Sequence, residues 1–253
     1  MLKANASNIL SASISRLNLE ETVQYISDSI FSGQQIVHAC INAANAVLIS
    51  ENEEARNCLN SADVISADGQ AVVWASRILK QPLPERVPGP DLMERLVEFA
   101  FLNNIRIFLF GAEQETVESV VHIYSKRYKP ELIAGFRNGF FNPEDQSEIA
   151  AEINASGADL LFVAIPSPQK EIFNAKFRHL MPRLKLLMGV GGTFDVISGK
   201  VKRAPRWMQD NGLEWSYRLL KEPRRLWKRY LIGNMKFIRL VYLEFSQKRG
   251  RTG

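Results

Sequence analysis

The sequence predicts an α/β fold, a Rossmann-like and largely parallel sheet flanked by helices, with a small basic helical appendage at the C-terminal end. Two observations predict the sheet. Short apolar runs alternate with amphipathic stretches through the body of the chain, the signature of βα units, and no internal repeat, low-complexity run or Ser/Gly linker interrupts them. The third observation is charge. From Lys200 onward the chain carries 15 basic and 4 acidic residues, a net +11, whereas before Lys200 it carries 17 and 23, a net −6. At 253 residues with 46% hydrophobic content, the chain is long enough to bury a sizeable core.

Strands are expected near Ile36 to Ile41, Val64 to Ala67, Arg106 to Phe110, Glu131 to Gly135, Leu160 to Ile165 and Lys185 to Gly189. Helices fit between them. Ala43 to Asn60 places Val47, Leu48, Ala55 and Leu59 at helical spacing, with Glu51, Glu53, Glu54 and Arg56 on a solvated face. Gln114 to Arg127, entered after Gly111, behaves alike, and Leu92 to Asn103 follows a loop stiffened by two prolines and a glycine. Ligands of such sheets collect at the carboxyl ends of strands, so the loops that follow each strand are the first suspects.

The compositional boundary divides the chain into an α/β domain, 1–199, and a basic helical appendage, 200–253. Arg203 to Gly250 reads as two or three helices broken by Pro205, Gly212, Pro223 and Gly233. In it Trp215, Leu219, Leu226, Trp227, Tyr230, Leu231, Phe237, Leu240 and Val241 interleave with Arg and Lys. That pattern suits a membrane interface or a partner surface; a basic helical pair folded back on its own domain is the alternative. A segment this basic seeks phosphate, on nucleic acid, anionic lipid or a diphosphate ligand.

Several classes are set aside. The longest apolar stretches, Ile105 to Ala112 and Leu160 to Pro166, fall far below the roughly 18 to 20 residues of a membrane-spanning helix. The first thirty residues carry Glu20, Glu21 and Asp28 and no compact apolar run, so no secretory signal is expected and the protein is placed in the cytoplasm. Cys40 and Cys58 lie in no CxxC spacing and are read as reduced structural thiols. His38, His122 and His179 are scattered singly, and no metal site is expected. Neither GxxxxGK[ST] nor a GxGxxG opening a helix occurs, which argues against a P-loop NTPase and a standard dinucleotide enzyme. No Asp-x-Asp occurs either, so positive charge on a bound diphosphate would come from Arg and Lys.

Four loops carry candidate chemistry. Ala67-Asp68-Gly69-Gln70 puts a carboxylate at a strand end beside a glycine, which places Asp68 as a general base; alone, an Asp-Gly pair is most often a turn. Glu85 to Asp91 is a rigid loop able to hold Arg86 against a phosphate or carboxylate, or to cap the following helix with an Arg–Asp pair. Pro166-Ser167-Pro168-Gln169-Lys170-Glu171 opens a helix and offers either an anion or sugar site or a simple N-cap by Ser167. Gly189 to Asp195 lets a ligand approach the backbone closely.

In their order and spacing these pieces resemble the WecG/TagA/CpsF glycosyltransferases (glycosyltransferase family 26) from about Ile36 to Asn234. The resemblance rests on Ala67-Asp68-Gly69 through Val73-Trp74-Ala75, on Arg86 to Asp91, on Gly135-Phe136 with Asn138 to Phe141, and on Gly191 to Asp195. It continues in Gly199-Lys200-Val201, Arg203-Ala204-Pro205, Gly212 to Leu219 and Glu222 to Arg225. It implies an inverting, metal-independent transfer with no cofactor, from a UDP-sugar, commonly of N-acetylmannosamine type, onto undecaprenyl-diphosphate-linked GlcNAc. Asp68 matches the proposed general base, and Asn42 and Arg86 match pocket positions. Asp91, Gln169, Lys170, Glu171, Gly191 and Asp195 join them as expected substrate contacts. The tail matches an appendage that closes over the site and touches the membrane, with Arg218, Arg224 and Arg225 neutralising the departing diphosphate.

Two positions depart from the family pattern. Members often carry Thr where this chain has Cys40, and Pro-Lys-Gln-Glu where it reads Pro168-Gln169-Lys170-Glu171. The added charge of Lys170 would suit a uronic or other acidic sugar, or project to solvent. The expected partners are therefore a UDP-sugar, a polyprenyl-diphosphate-linked sugar and an anionic membrane surface at the inner face of the cell membrane, with no nucleic acid; a homo-oligomer is left open. The competing readings are a nucleic-acid-binding module using the tail and another nucleotide-dependent enzyme on the same scaffold.

Overall fold

The computed structural model describes residues 5–221 and 223–250; the side chains of Asp210, Arg218, Arg224, Arg225, Leu226, Lys228, Arg229 and Tyr230 lie outside the described residues. The chain opens on an antiparallel hairpin, β1 (Ala6–Ile9) and β2 (Ala12–Ser15). Its turn residues Leu10 and Ser11 both hold positive φ, 54° and 61°, without the Asn-Gly or Asp-Gly pair that usually marks such a hairpin. The sequence therefore carried no signal for it. Helix α1 (Leu19–Phe31) follows, started by a capping box in which Asn18 accepts from the Glu21 amide and Glu21 reaches back to the Asn18 amide.

Next come β3 (Ile36–Ile41), α2 (Ala43–Glu51), α3 (Glu53–Asn60), β4 (Val64–Ala67), α4 (Gln70–Ile78) and α5 (Gly89–Leu102). The single helix expected over Ala43 to Asn60 is two. Asn52 ends α2 in an extended conformation, and its side chain accepts from the Ala55 amide to start α3, so a local side-chain bond outcompetes helix continuation. The remaining βα units are β5 (Ile107–Gly111), α6 (Gln114–Arg127), β6 (Ile133–Arg137), α7 (Gln146–Ala155), β7 (Leu160–Ala164), α8 (Gln169–Phe177) and β8 (Leu186–Gly189). Strand β6 begins two residues later than expected because Pro130–Leu132 forms a 3₁₀ turn first. Short α9 (Thr193–Ile197) and α10 (Arg206–Asp210) lead to α11 (Glu214–Lys221) and the long α12 (Pro223–Gly250). Gly233, expected as a break, lies inside α12.

All six expected strands form one parallel sheet in the order β4-β3-β8-β7-β5-β6. The five inner and edge runs β3, β4, β5, β7 and β8 are buried along their whole length, as strands covered on both faces must be. Alternate residues feed two cores: Val37, Ala39, Ile41, Leu161 and Leu187 pack toward α2, α3 and the hairpin, while Ile36, Leu109, Phe162 and Met188 pack toward α1, α5 and α6. Strand order reverses between β3 and β8, which opens the crevice at their carboxyl ends.

The appendage is not a detached tail. Phe237 and Val241 of α12 are buried in the first core, against α2. Glu244 accepts from the Leu10 amide at 2.7 Å, tying α12 to the hairpin turn, and Lys236 pairs with Glu51 at 2.7 Å.

His38 of β3 is fully buried, with Nε2 3.0 Å from Ser66 Oγ and no hydrogen-bond partner for Nδ1. Burial pushes its pKa down to about 4. Below pH 6.5 the unfolded chain binds a proton that the folded protein refuses, so stability falls as pH drops from 6.5 and stops falling near 4. The loss should total about 3 kcal/mol by the linkage relation. Urea unfolding from pH 7 to 4 should show a smaller decline in His38→Gln than in the wild type; equal declines would contradict the assignment.

Candidate active site

The crevice is assembled by backbone contacts between loops. The Asp68 amide donates to the Ile41 carbonyl at 2.8 Å, which joins the ends of β4 and β3. Gly69 then takes φ of +139°, a conformation closed to most side chains, and starts α4; a methyl group there would sit 3.7 Å from the Asn42 Cβ. The Val87 amide donates to the Ala67 carbonyl at 2.8 Å and so clips the Arg86-Val87-Pro88-Gly89 loop to the same strand end. Gly89 closes the assembly, since a methyl group on it would lie 3.4 Å from Thr193 Oγ1, 3.7 Å from Asp68 Oδ2 and 3.9 Å from the Val190 carbonyl. Three loops thus meet at Asp68. The N-terminus of α5, which begins at Gly89, lies against this carboxylate and brings the positive end of a 14-residue helix dipole to it.

Charged side chains ring that floor. Arg86 donates to Glu214 Oε2 at 3.2 Å. Arg203 forms a two-pronged pair with Asp91, Nη2 to Oδ2 at 2.8 Å and Nη1 to Oδ1. The Asp91 bond is the main reason the Arg203 pKa is raised, and the charges of Glu214 and Asp68 add to it. Arg203 is therefore within electrostatic reach of Asp68, and the Arg–Asp pair made by Asp91 reaches across the chain rather than to its own loop.

The loop after β7 is organised differently from the expected N-cap. Pro168 precedes α8 and no side chain caps the helix. Ser167 Oγ instead donates to Glu171 Oε1 at 3.0 Å and accepts from the Lys170 ammonium, which also donates to Glu171 Oε1. Both charged residues are buried, and the Lys170 stem runs over Gly189, where a methyl group would meet it at 3.3 Å. Lys170 does not project to solvent, and its charge is matched by Glu171. Gln169 beside it is exposed.

The other expected contacts are placed as follows. Asn42 sits at the end of β3 and caps α2 through Oδ1, accepting from the Asn45 amide at 3.0 Å. Gly191, at φ of +53°, and Asp195, in the first turn of α9, follow β8. The side chains of Arg218, Arg224 and Arg225 lie outside the described residues. The Cys40 thiol is buried; burial, then the charge of Asp68, pushes its pKa up, so it is a neutral part of the wall. Arg203, Glu214 and Thr193 were missed as site residues, although all three stand in the motifs quoted above. Among the described residues, no group of three or more His, Cys, Asp or Glu is arranged to hold a metal ion.

A doubly wound sheet with a carboxylate and guanidinium groups at its switch point is the frame of an enzyme that handles an anionic ligand. Residues 7–251 match the Glycosyl transferase WecG/TagA/CpsF family, and the chain belongs to it. It is a glycosyltransferase. It is 36% identical over 216 residues to the N-acetylglucosaminyldiphosphoundecaprenol N-acetyl-beta-D-mannosaminyltransferase of Bacillus subtilis (strain 168), covering 85% of this chain and 82% of that protein. It is 39% identical over 181 residues to the protein of the same name from Bacillus spizizenii, covering 72% and 69%.

Proposed function

We propose that this glycosyltransferase moves an N-acetylmannosamine-type sugar from a UDP-sugar to GlcNAc-diphosphoundecaprenol, with inversion and without a metal ion. The observation that carries the reading is the position of Asp68, at the end of β4 between Asn42, Gly89 and the Arg86 loop. The acceptor hydroxyl oxygen attacks the anomeric carbon from the face opposite the diphosphate. As the new C–O bond forms, the bond to the diphosphate oxygen breaks, the electron pair leaves with UDP, and Asp68 takes the hydroxyl proton. Arg86, with Arg218, Arg224 and Arg225, supplies the positive charge that stabilises the departing diphosphate. The names of the two Bacillus relatives supply the acceptor and the sugar. A neutral sugar also fits the Lys170–Glu171 pair, which leaves no uncompensated cation there to favour a uronate.

A lipid-linked acceptor requires the site to face a bilayer. Trp227, Leu231, Met235, Ile238 and Tyr242 recur every three or four residues along α12 and are 55%, 56%, 65%, 66% and 67% exposed. That is an apolar stripe beside the buried Phe237 and Val241, with exposed Lys236 and Arg239 on its flank. Exposed Trp74 and Ile78 lie on α4, directly after the Asp68 loop. We assign this face to the cytoplasmic membrane surface, which makes the protein a peripheral one. Among the described residues no helix is long and apolar enough to cross a membrane.

Asp68→Asn should lower turnover by roughly 100- to 10,000-fold while UDP affinity and melting temperature stay near wild type; wild-type turnover in this variant would remove Asp68 from the base role. Leu231→Glu with Ile238→Glu should abolish sedimentation with phosphatidylglycerol vesicles, and wild-type sedimentation should weaken as salt rises. Undiminished vesicle binding by the double variant would refute the membrane face.

A further inference from the structure

Glu214, the first residue of α11, stands between two guanidinium groups that belong to different partners. Its Oε2 accepts from Arg86 at 3.2 Å, and its Oε1 lies 3.9 Å from Arg203 Nε. Arg203 spends both terminal nitrogens on Asp91, and its Nε is buried without a hydrogen-bond partner. A buried N–H left bare is costly, and the nearest remedy here is the Glu214 carboxylate. Arg86 and Glu214 side chains are only 16% and 19% exposed, so the pair is partly withdrawn from water and less screened than a fully exposed ion pair.

From this geometry we infer that Glu214 is an exchangeable counterion. It neutralises Arg86 while the site is empty, and passes to the Nε–H of Arg203 when the donor's diphosphate takes Arg86. The exchange leaves no charge unpaired at either stage. Arg86 goes from carboxylate to phosphate, Glu214 goes from one guanidinium to the other, and Arg203 gains a partner for its bare nitrogen while keeping Asp91. It also couples binding to the appendage: α11 stays tied to the body through Arg203 and Asp91, at the start of α5, while its first turn shifts by the short distance that separates 3.9 Å from a hydrogen bond. Glu214 is thus a positioning residue that withholds Arg86 until an anion takes its place. The inference rests on the reading of Arg86 as the diphosphate contact.

The test is the UDP dissociation constant by titration calorimetry for the full chain and four variants, with melting temperatures as a folding check. Wild type should bind UDP and Arg86→Ala should lose most of that affinity; failure of either arm overturns the donor reading itself. With those arms in place, Glu214→Gln removes the competing charge and should tighten UDP about fivefold, the worth of a partly buried ion pair. Arg203→Lys keeps the charge on Asp91 but removes the Nε–H that receives Glu214, so UDP should bind more weakly. Glu214→Gln combined with Arg203→Lys should bind as tightly as Glu214→Gln alone, because nothing remains to be received. Opposite signs in the two single variants are the signature, since simple loss of structure would weaken both. UDP affinity unchanged or reduced in Glu214→Gln, or not reduced in Arg203→Lys, would overturn the exchange.

Discussion

In a parallel sheet every crossover returns over one face or the other, and a crevice opens only where neighbouring crossovers part. Here the place that holds Asp68 is between β3 and β8. The remaining site geometry depends on it. Asn42 and Asp68 follow the two strands on one side, Gly191 and Thr193 follow the strand on the other, and Gly89 fits between them because it has no side chain to keep Asp68 and Thr193 apart. The hydrogen bonds from the Asp68 and Val87 amides to Ile41 and Ala67 make this a backbone construction, which fixes where the Asp68 main chain sits.

The second constraint is electrostatic. The site gathers Asp68, Asp91 and Glu214 with Arg86 and Arg203 in a partly buried space, and five such charges coexist only when nearly every one has a partner. The pairing is long-range in sequence: Asp91 finds Arg203 and Arg86 finds Glu214, 112 and 128 residues away. Body and appendage are joined through the same charges that a diphosphate would compete for. The basic excess after Lys200 therefore has more than one destination. Arg203 faces the site, Lys236 ties α12 to α2, and residues such as Arg239 flank the exposed apolar stripe.

How much of this was legible in the sequence follows from what each signal depends on. Strands buried on both faces must be apolar throughout, so all six parallel strands could be read to within a residue or two, with the largest shift where Pro130–Leu132 turned first. The β1–β2 hairpin could not, because Leu10 and Ser11 occupy left-handed positions held by contacts from Glu244 and Asn60 that no local pattern reveals. Asp68, Arg86 and the Gly89 loop stood out because a glycine or proline next to a charge at a strand end is a local feature. Glu214 and Arg203 did not stand out as site residues, because their significance lies in partners more than a hundred residues away. The fate of α12 was likewise undecided by composition: the same helix buries Phe237 and Val241 and exposes Leu231 and Ile238, and only tertiary packing sorts the two faces.

In the function proposed above, the crevice at Asp68 transfers a neutral N-acetylhexosamine onto a lipid-linked acceptor using the protein's own charges. The most direct measurement is sugar transfer to a GlcNAc-diphospho-lipid analogue, with EDTA present, from UDP-linked N-acetylmannosamine, its uronic acid, glucose and GlcNAc in parallel. Product should form from the N-acetylmannosamine donor at a rate unaffected by EDTA. Product from the uronic acid donor alone, or activity abolished by EDTA and restored by a divalent cation, would contradict it.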